Sequence, residues 1–334
     1  MIERRTFLSS LLLASAARFA RAQQRAKIYR IAFVHPVRPT ANLTEDGGVP
    51  AFAAFFKELR RLGYIEGDNL LVERYSGGGR TEHYADLARD AVLSHPDPIF
   101  TVTTRMAQHF KATTTTIPIV AYTADPVASG LARSLAQPGG NITGVVSDVG
   151  VALGGKQLEF LKVVVPTARK VAYLGPRQVW NMPAPAAIRK AANQMSIELI
   201  GALLDGTIDE PEYRRVFAVM AQERVDAVMV NDAAENYAYQ RLITKLAENA
   251  QLPAIYPDRS FVELGGLMSY GIELVELYRH AANQIDQILK GAKPGELPFY
   301  QAAQFKLTIN LNTAKVLGLA IPQSMLLRAD EVIQ

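Results

Sequence analysis

The side chains able to do chemistry in this 334-residue chain gather just after short apolar runs. His35 and Arg38 follow residues 31–34, Thr103, Thr104 and Arg105 follow 99–102, and Tyr122, Thr123 and Asp125 follow 117–120. Further on, Trp180 lies beyond the run 170–174, Asn231 and Asp232 follow 227–230, and Arg259 follows 254–256 and Asp258. Hydroxyls, an amide, carboxylates and guanidinium forks make a recognition set. The fork in particular matches a carboxylate with two parallel hydrogen bonds. A catalytic set is harder to find. Zero cysteines exclude thiolate nucleophiles, disulfides and Cys-ligated zinc or iron–sulfur sites, and five scattered histidines leave little for a transition metal. There is no phosphate-loop run, no His-Glu-x-x-His, no Gly-x-Ser-x-Gly, and no dinucleotide glycine fingerprint after the first apolar run. Neither cofactor nor metal is expected. Gly77-Gly78-Gly79 before Arg80 reads as a turn rather than a phosphate cradle.

Each candidate also has a plainer role. Thr103 and Thr104 can cap the helix that follows them, and Asp125, directly before Pro126, is a natural N-cap. Asp232 can cap a helix or meet a ligand amine. Arg105 can be a solvated helix-start residue. His35 can be a loop histidine. Trp180, the only tryptophan, sits with Asn181 and Pro183 and can be a stacking lid or local packing.

The elements that must position these residues follow from periodicity. Residues 31–34 are followed by Phe52, Phe55, Phe56, Leu59 and Leu62 at helical spacing, then by apolar runs at 70–72, 99–102 and 117–120 separated by further helical stretches. After the turn-rich 138–141 a second series begins. It predicts helices over 156–164, 184–195, 210–223 and 236–249, alternating with strands over 170–174, 197–203, 227–230 and 254–256. The chain then continues with a strand at 267–270, a helix at 274–289, a strand at 307–310 and a helix near 313–317. Repeated βαβ units with right-handed crossovers make parallel sheets covered on both faces, so two α/β units follow one another. In such sheets ligands sit beyond the carboxyl ends of strands, where loops and helix N-termini present N–H groups. Two sheets facing each other therefore make a cleft, with the residues named above on its walls.

Composition sets the class. A chain with 49% apolar and 20% charged residues is globular and large enough for about two domains. The formal charge of +4 is concentrated at the front: residues 1–22 hold four arginines and one glutamate, and without them the charge is +1. A nearly neutral body has no footprint for nucleic acid. Those residues have the layout of an export signal, with a basic start, an apolar stretch too short to span a membrane and the small-residue ending Ala20-Arg21-Ala22. Arg4-Arg5-Thr6-Phe7-Leu8 resembles a twin-arginine signal, so cleavage after Ala22 and release of the mature chain into the periplasm are expected.

Four blocks, in order, then carry a resemblance. They are Asp125-Pro126-Val127 through Gly130-Leu131 with residues 134–144, residues 265–271, residues 288–294, and residues 309–315 with 328–333. Together they resemble the ABC transporter substrate-binding protein family that includes tryptophan-binding proteins of the TrpX type, from about Ile31 to the end. The resemblance implies a type I periplasmic binding protein: two Rossmann-like lobes with parallel sheets, joined by a three-strand crossover hinge and closing on a small ligand. It implies an N-terminal lobe of 28–146 plus 266–293 and a C-terminal lobe of 147–265 plus 294–334. It also implies a monomer without catalytic activity that hands an amino acid or an aromatic or aliphatic carboxylate to an ABC permease in the inner membrane. Arg105 departs from the family, whose members commonly carry a small-residue loop with glycine at that place. The departure suggests an acid without a free amino group, although an amino acid stays open. Two other readings stay open as well: an exported α/β enzyme acting on a small carboxylic acid, and the ligand-sensing subunit of a membrane signalling receptor.

Overall fold

A computed structural model describes residues 27–146, 152–302 and 305–334. The expected export signal at 1–22 lies outside the described residues. The chain forms two sheets, each sandwiched between helices. Strands β1 (Tyr29–His35), β2 (Leu70–Ser76), β3 (Ile99–Val102), β4 (Ile119–Thr123), β5 (Ile142–Val146) and β11 (Tyr300–Gln301) build the first, in the order β11-β5-β4-β3-β1-β2. Strands β6 (Lys170–Pro176), β7 (Glu198–Leu204), β8 (Ala227–Val230), β9 (Ala254–Tyr256), β10 (Met268–Gly271), β12 (Lys306–Asn310) and β13 (Glu331–Ile333) build the second, in the order β13-β12-β10-β9-β8-β6-β7. All pairings are parallel except β10 with β12. This is the α/β architecture of two lobes expected from the alternating pattern.

Strands such as β3 and β8, buried at every residue, are central because both faces are covered and no polar alternation is called for. In the first lobe, helices Pro50–Arg61 and Leu274–Leu289 cover one face through Phe52, Phe55, Leu277 and Ile285. Helices Tyr84–Leu93 and Thr104–Thr113 cover the other through Ala88, Met106 and Phe110. Phe55 stacks on Phe100 at 4.5 Å and 12° in the middle of the first layer. The second lobe repeats the plan with two layers of its own.

The structure moves several expected boundaries. Strand β10, expected in the first lobe, lies in the second sheet, where it is held between β9 on one side, parallel, and β12 on the other, antiparallel. The first lobe regains the chain only with helix Leu274–Leu289, where Tyr64 Oη donates to Asp286 Oδ1 at 3.0 Å. It then keeps residues 294–301, since β11 pairs with β5. The helix expected over 236–249 is two, Ala234–Ala238 and Gln240–Asn249, broken at Tyr239 (φ −107°, ψ 20°), whose ring packs 5.0 Å from that of Tyr213. Strands β5, β11 and β13 had no expectation at all. Tyr122 and Thr123, read as loop, are the last residues of β4.

Candidate functional site

Strand tips and the loops after them carry nine of the twelve expected residues: His35, Arg38, Thr103, Thr104, Arg105, Tyr122 and Thr123 on the first lobe, Asn231 and Asp232 on the second. On the first lobe the loop after β1 is organised by its histidine. His35 is buried, and its Nδ1 accepts from the N–H groups of Val37 at 3.0 Å and Arg38 at 2.9 Å. Burial, with Arg38 alongside, pushes its pKa down to about 3, so it is neutral. His35 is therefore the loop histidine of the plainer reading. Its work is to aim Arg38, whose Nη2 donates to the Tyr237 carbonyl of the second lobe at 2.5 Å. Tyr278, from helix Leu274–Leu289, lies beside Arg38 and packs against Tyr122 with ring centroids 6.0 Å apart.

The loop after β3 is strained. Thr103 holds φ at +73°, a left-handed value costly for a β-branched residue, while its Oγ1 accepts from Met106 N at 3.3 Å as an N-cap. Thr104 Oγ1 accepts from Ala124 N at 3.1 Å and so ties this loop to the one after β4. In both bonds the hydroxyl accepts and its own proton stays available to a ligand oxygen. The ten-residue helix Thr104–Thr113 begins here and adds first-turn N–H groups, which makes the place suited to an anion. Arg105 reaches over the Tyr84 ring, 5.6 Å from its centroid.

On the second lobe the tip of β8 is a hydrogen-bonded knot. Asn231 Oδ1 accepts from Ala233 N at 3.2 Å and Asn236 Nδ2 at 2.7 Å, and Asn236 Oδ1 in turn accepts from Tyr213 Oη at 3.0 Å. Gly175 leaves the space Asn231 fills: a Cβ there would stand 2.5 Å from Nδ2. Asp232 is exposed beside this knot. Three residues on, Glu235 is buried in the first turn of helix Ala234–Ala238. Its carboxyl is pushed above the ordinary range by burial, with Arg105 of the opposite lobe pulling it back.

Three expected residues have other employment. Asp125 Oδ1 accepts from Val127 N and Ala128 N, both at 2.9 Å, and is an exposed turn cap. Trp180 packs in its own lobe, 5.5 Å from the Tyr173 ring with the Arg189 guanidinium 4.4 Å over its centroid, so local packing accounts for it. Arg259 spends its guanidinium on Glu263 at 2.9 Å and Glu331 at 3.0 Å, toward edge strand β13. Conversely, Tyr84, Glu235, Tyr237 and Tyr278 were missed. Tyr84 and Tyr278 obey helical periodicity and read as core. Tyr237 is hidden inside the helix expected over 236–249, while Glu235 falls in the short connection between the strand 227–230 and that helix and is passed over for Asn231 and Asp232.

Among the described residues no cluster of His, Asp and Glu could hold a metal ion, and no helix is long and apolar enough to cross a membrane. A model of ABC transporter substrate-binding proteins matches residues 40–333. The chain belongs to that family. Its members are solute-binding proteins rather than enzymes; they bind small molecules, work with an ABC permease, and act outside the cytoplasm. This substrate-binding protein is 24% identical over 267 residues to a tyrosine-binding protein of Clostridioides difficile, covering 79% of this chain and 75% of that one. A conserved domain protein of Vibrio cholerae shares its fold with a TM-score of 0.80 and 25% identity, over 92% of this chain and 100% of the other. So does an ABC domain from Streptococcus pneumoniae in complex with L-Trp, at 0.79 and 24% over the same shares. The substrate-binding protein thus has the type I periplasmic binding fold expected from its sequence blocks.

Proposed function

We propose that this protein captures a small carboxylate-bearing solute between its lobes in the periplasm and delivers it to an importing permease. The observation that carries the reading is the construction at the start of helix Thr104–Thr113. Two threonine hydroxyls that serve as acceptors in the bonds described above, first-turn N–H groups and an arginine stand on consecutive residues at one helix start, a set suited to a carboxylate. The walls around it carry Tyr84, Tyr122, Tyr237 and Tyr278, rings suited to a flat or bulky side chain. The names of the C. difficile and S. pneumoniae relatives support an aromatic amino acid as the solute. Export through the twin-arginine route, cleavage after Ala22 and a monomeric mature protein belong to this reading. Fractionation of cells expressing the chain, with and without Arg4→Lys and Arg5→Lys, tests the route.

Binding closes the lobes by favouring one arrangement over another, which requires contacts made only when both walls meet the solute. The deciding experiment is a thermal-shift screen of residues 23–334 against amino acids and aromatic and aliphatic acids. A true ligand at a hundredfold excess over its Kd adds about 2.7 kcal/mol of stability. Arg105→Ala then weakens the hit by roughly 1.5–3 kcal/mol, the range of charge-assisted hydrogen bonds. Unchanged affinity removes Arg105 from the site, and conversion of the solute on incubation would replace the binding reading with an enzymatic one.

A further inference from the structure

A short helix of the second lobe is finished by a side chain from the first. Helix Ala234–Ala238 stops because the chain turns at Tyr239, and a helix that stops leaves the carbonyls of its last turn open to other donors. Tyr237 holds one of these carbonyls, and Arg38 Nη2 reaches it at 2.5 Å from 199 positions away in the sequence. An arginine suits a helix C-terminus on two counts. Its N–H groups meet the last carbonyls, and its charge meets the negative end of the aligned peptide dipoles. Ordinarily such a cap comes from near the helix itself. Here it crosses between the lobes.

Each end of the bond is braced within its own lobe. On the first, His35 Nδ1 accepts from Val37 N and Arg38 N, while Gly77 N and Gly79 N donate to the His35 and Pro36 carbonyls at 3.0 Å each. On the second, Asn236 Nδ2 donates to the Leu174 carbonyl at 3.2 Å and the Asn231 carbonyl at 3.1 Å, and the Tyr239 ring packs on that of Tyr213. The separation of donor and acceptor is therefore set by the separation of the lobes. Among the described residues no carboxylate lies within 4.0 Å of the Arg38 guanidinium, so no ion pair competes for it.

We infer that Arg38 and the Tyr237 carbonyl form an interlobe strap, a contact that stabilises the closed arrangement and takes no part in recognising the solute. Both partners belong to the protein and one of them is main chain, so the strap contributes the same factor whatever solute is held. Thr103, Thr104 and Arg105 choose the solute; Arg38 sets how long the lobes stay shut around it. The inference rests on the cleft reading proposed above. It goes beyond that reading by giving Arg38, expected from the sequence to touch the solute, a role in closure instead.

The chain has no cysteine, so residues 23–334 can be spin-labelled through Asp90→Cys in the first lobe and Gln222→Cys in the second, both exposed helix positions. Double electron–electron resonance then reads the interlobe distance with and without Arg38→Met, in buffer alone and with L-tyrosine, L-tryptophan or L-leucine. Without solute, Arg38→Met is expected to move the distribution toward longer distances, and a saturating amino acid to return it to that of the bound wild type. In stopped flow the same substitution is expected to raise koff about fivefold for every amino acid that binds and to leave kon within about twofold. Arg38→Gln replaces Arg38→Met if the latter fails to fold. Coincident distributions without solute overturn the strap. So does a loss of binding above about a hundredfold that is carried by kon or confined to one solute, which makes Arg38 a solute contact. If none of the three amino acids binds wild type, the amino-acid reading fails, while the distances without solute still decide the strap.

Discussion

His35 shows how a residue type can mislead about its role. A histidine at a strand tip invites a ligand or proton-transfer reading, yet here both of its bonds are intramolecular and its charged form is excluded. The consequence is a pH dependence with a definite sign. Unfolded, His35 takes up a proton near its ordinary value of 6.5; folded, it resists until about 3. Between those values the unfolded state binds more protons, so stability falls as pH falls, by about 1.4 kcal/mol per pH unit. Between pH 7 and 4.5 this one group removes about 2–3 kcal/mol. Urea unfolding of wild type and His35→Gln at the two pH values checks it: the variant starts less stable, having lost the loop bonds, and falls less steeply by about that amount. Parallel falls would show that His35 is not the group responsible.

At the scale of elements, β5 is the instructive case. Its sequence, Ile-Thr-Gly-Val-Val after Pro-Gly-Gly-Asn, reads as the tail of a turn. In the fold it is a buried strand against β4, and Gly144 is there because the backbones meet. At φ +153° a Cβ on Gly144 would stand 1.9 Å from the Ala121 carbonyl oxygen. Gln284 fastens the same place, its Nε2 donating to the Gly144 and Pro298 carbonyls at 2.9 Å each. Gly144→Ala is therefore expected to push β5 off the sheet and cost roughly 3 kcal/mol or more, the range of backbone-clash substitutions. Chemical denaturation of the variant measures it, and a loss below about 1 kcal/mol would mean that the strand yields easily. Periodicity found the long elements, including helix Leu274–Leu289 to the residue. It could not find two- and three-residue strands such as β11 and β13, whose existence depends on a partner edge rather than on their own composition.

For the molecule as a whole, Arg38 Nη2 donating to the Tyr237 carbonyl links a strand tip of the first lobe to the backbone of the second. Gly79 also lies close to the second lobe, its Cβ position 3.5 Å from the Ile208 carbonyl oxygen. The triple glycine serves its own turn: Gly77 leaves room for the Pro36 carbonyl and the Tyr84 ring, and Gly78 and Gly79 hold φ at +58° and +76°. Arg38→Met keeps much of the side chain's bulk and removes the strap. The ligand-free variant is expected to populate an opened arrangement more, with a larger radius of gyration in solution scattering and about fivefold weaker solute affinity, the equivalent of about 1 kcal/mol. Identical scattering curves for variant and wild type without ligand would show that the strap does not hold the lobes.

Local pattern was sufficient for the class of this protein. Apolar runs of strand length alternating with helical periods can be buried only as two covered sheets, and the absence of cysteine and of every nucleophile or phosphate motif removed most chemistry before any coordinates were considered. The strand tips, and with them Arg38, Thr103, Thr104 and Arg105, follow from the same pattern, since a parallel sheet leaves its carboxyl ends as the exposed rim. What required the tertiary structure was everything set by contact between distant segments: which sheet β10 joins, that Asp125, Trp180 and Arg259 have partners at home, and that Arg38 meets the Tyr237 carbonyl. Periodicity reports which side of an element is buried, whereas a cleft is defined by what faces it from the other lobe. That information is not local to either strand.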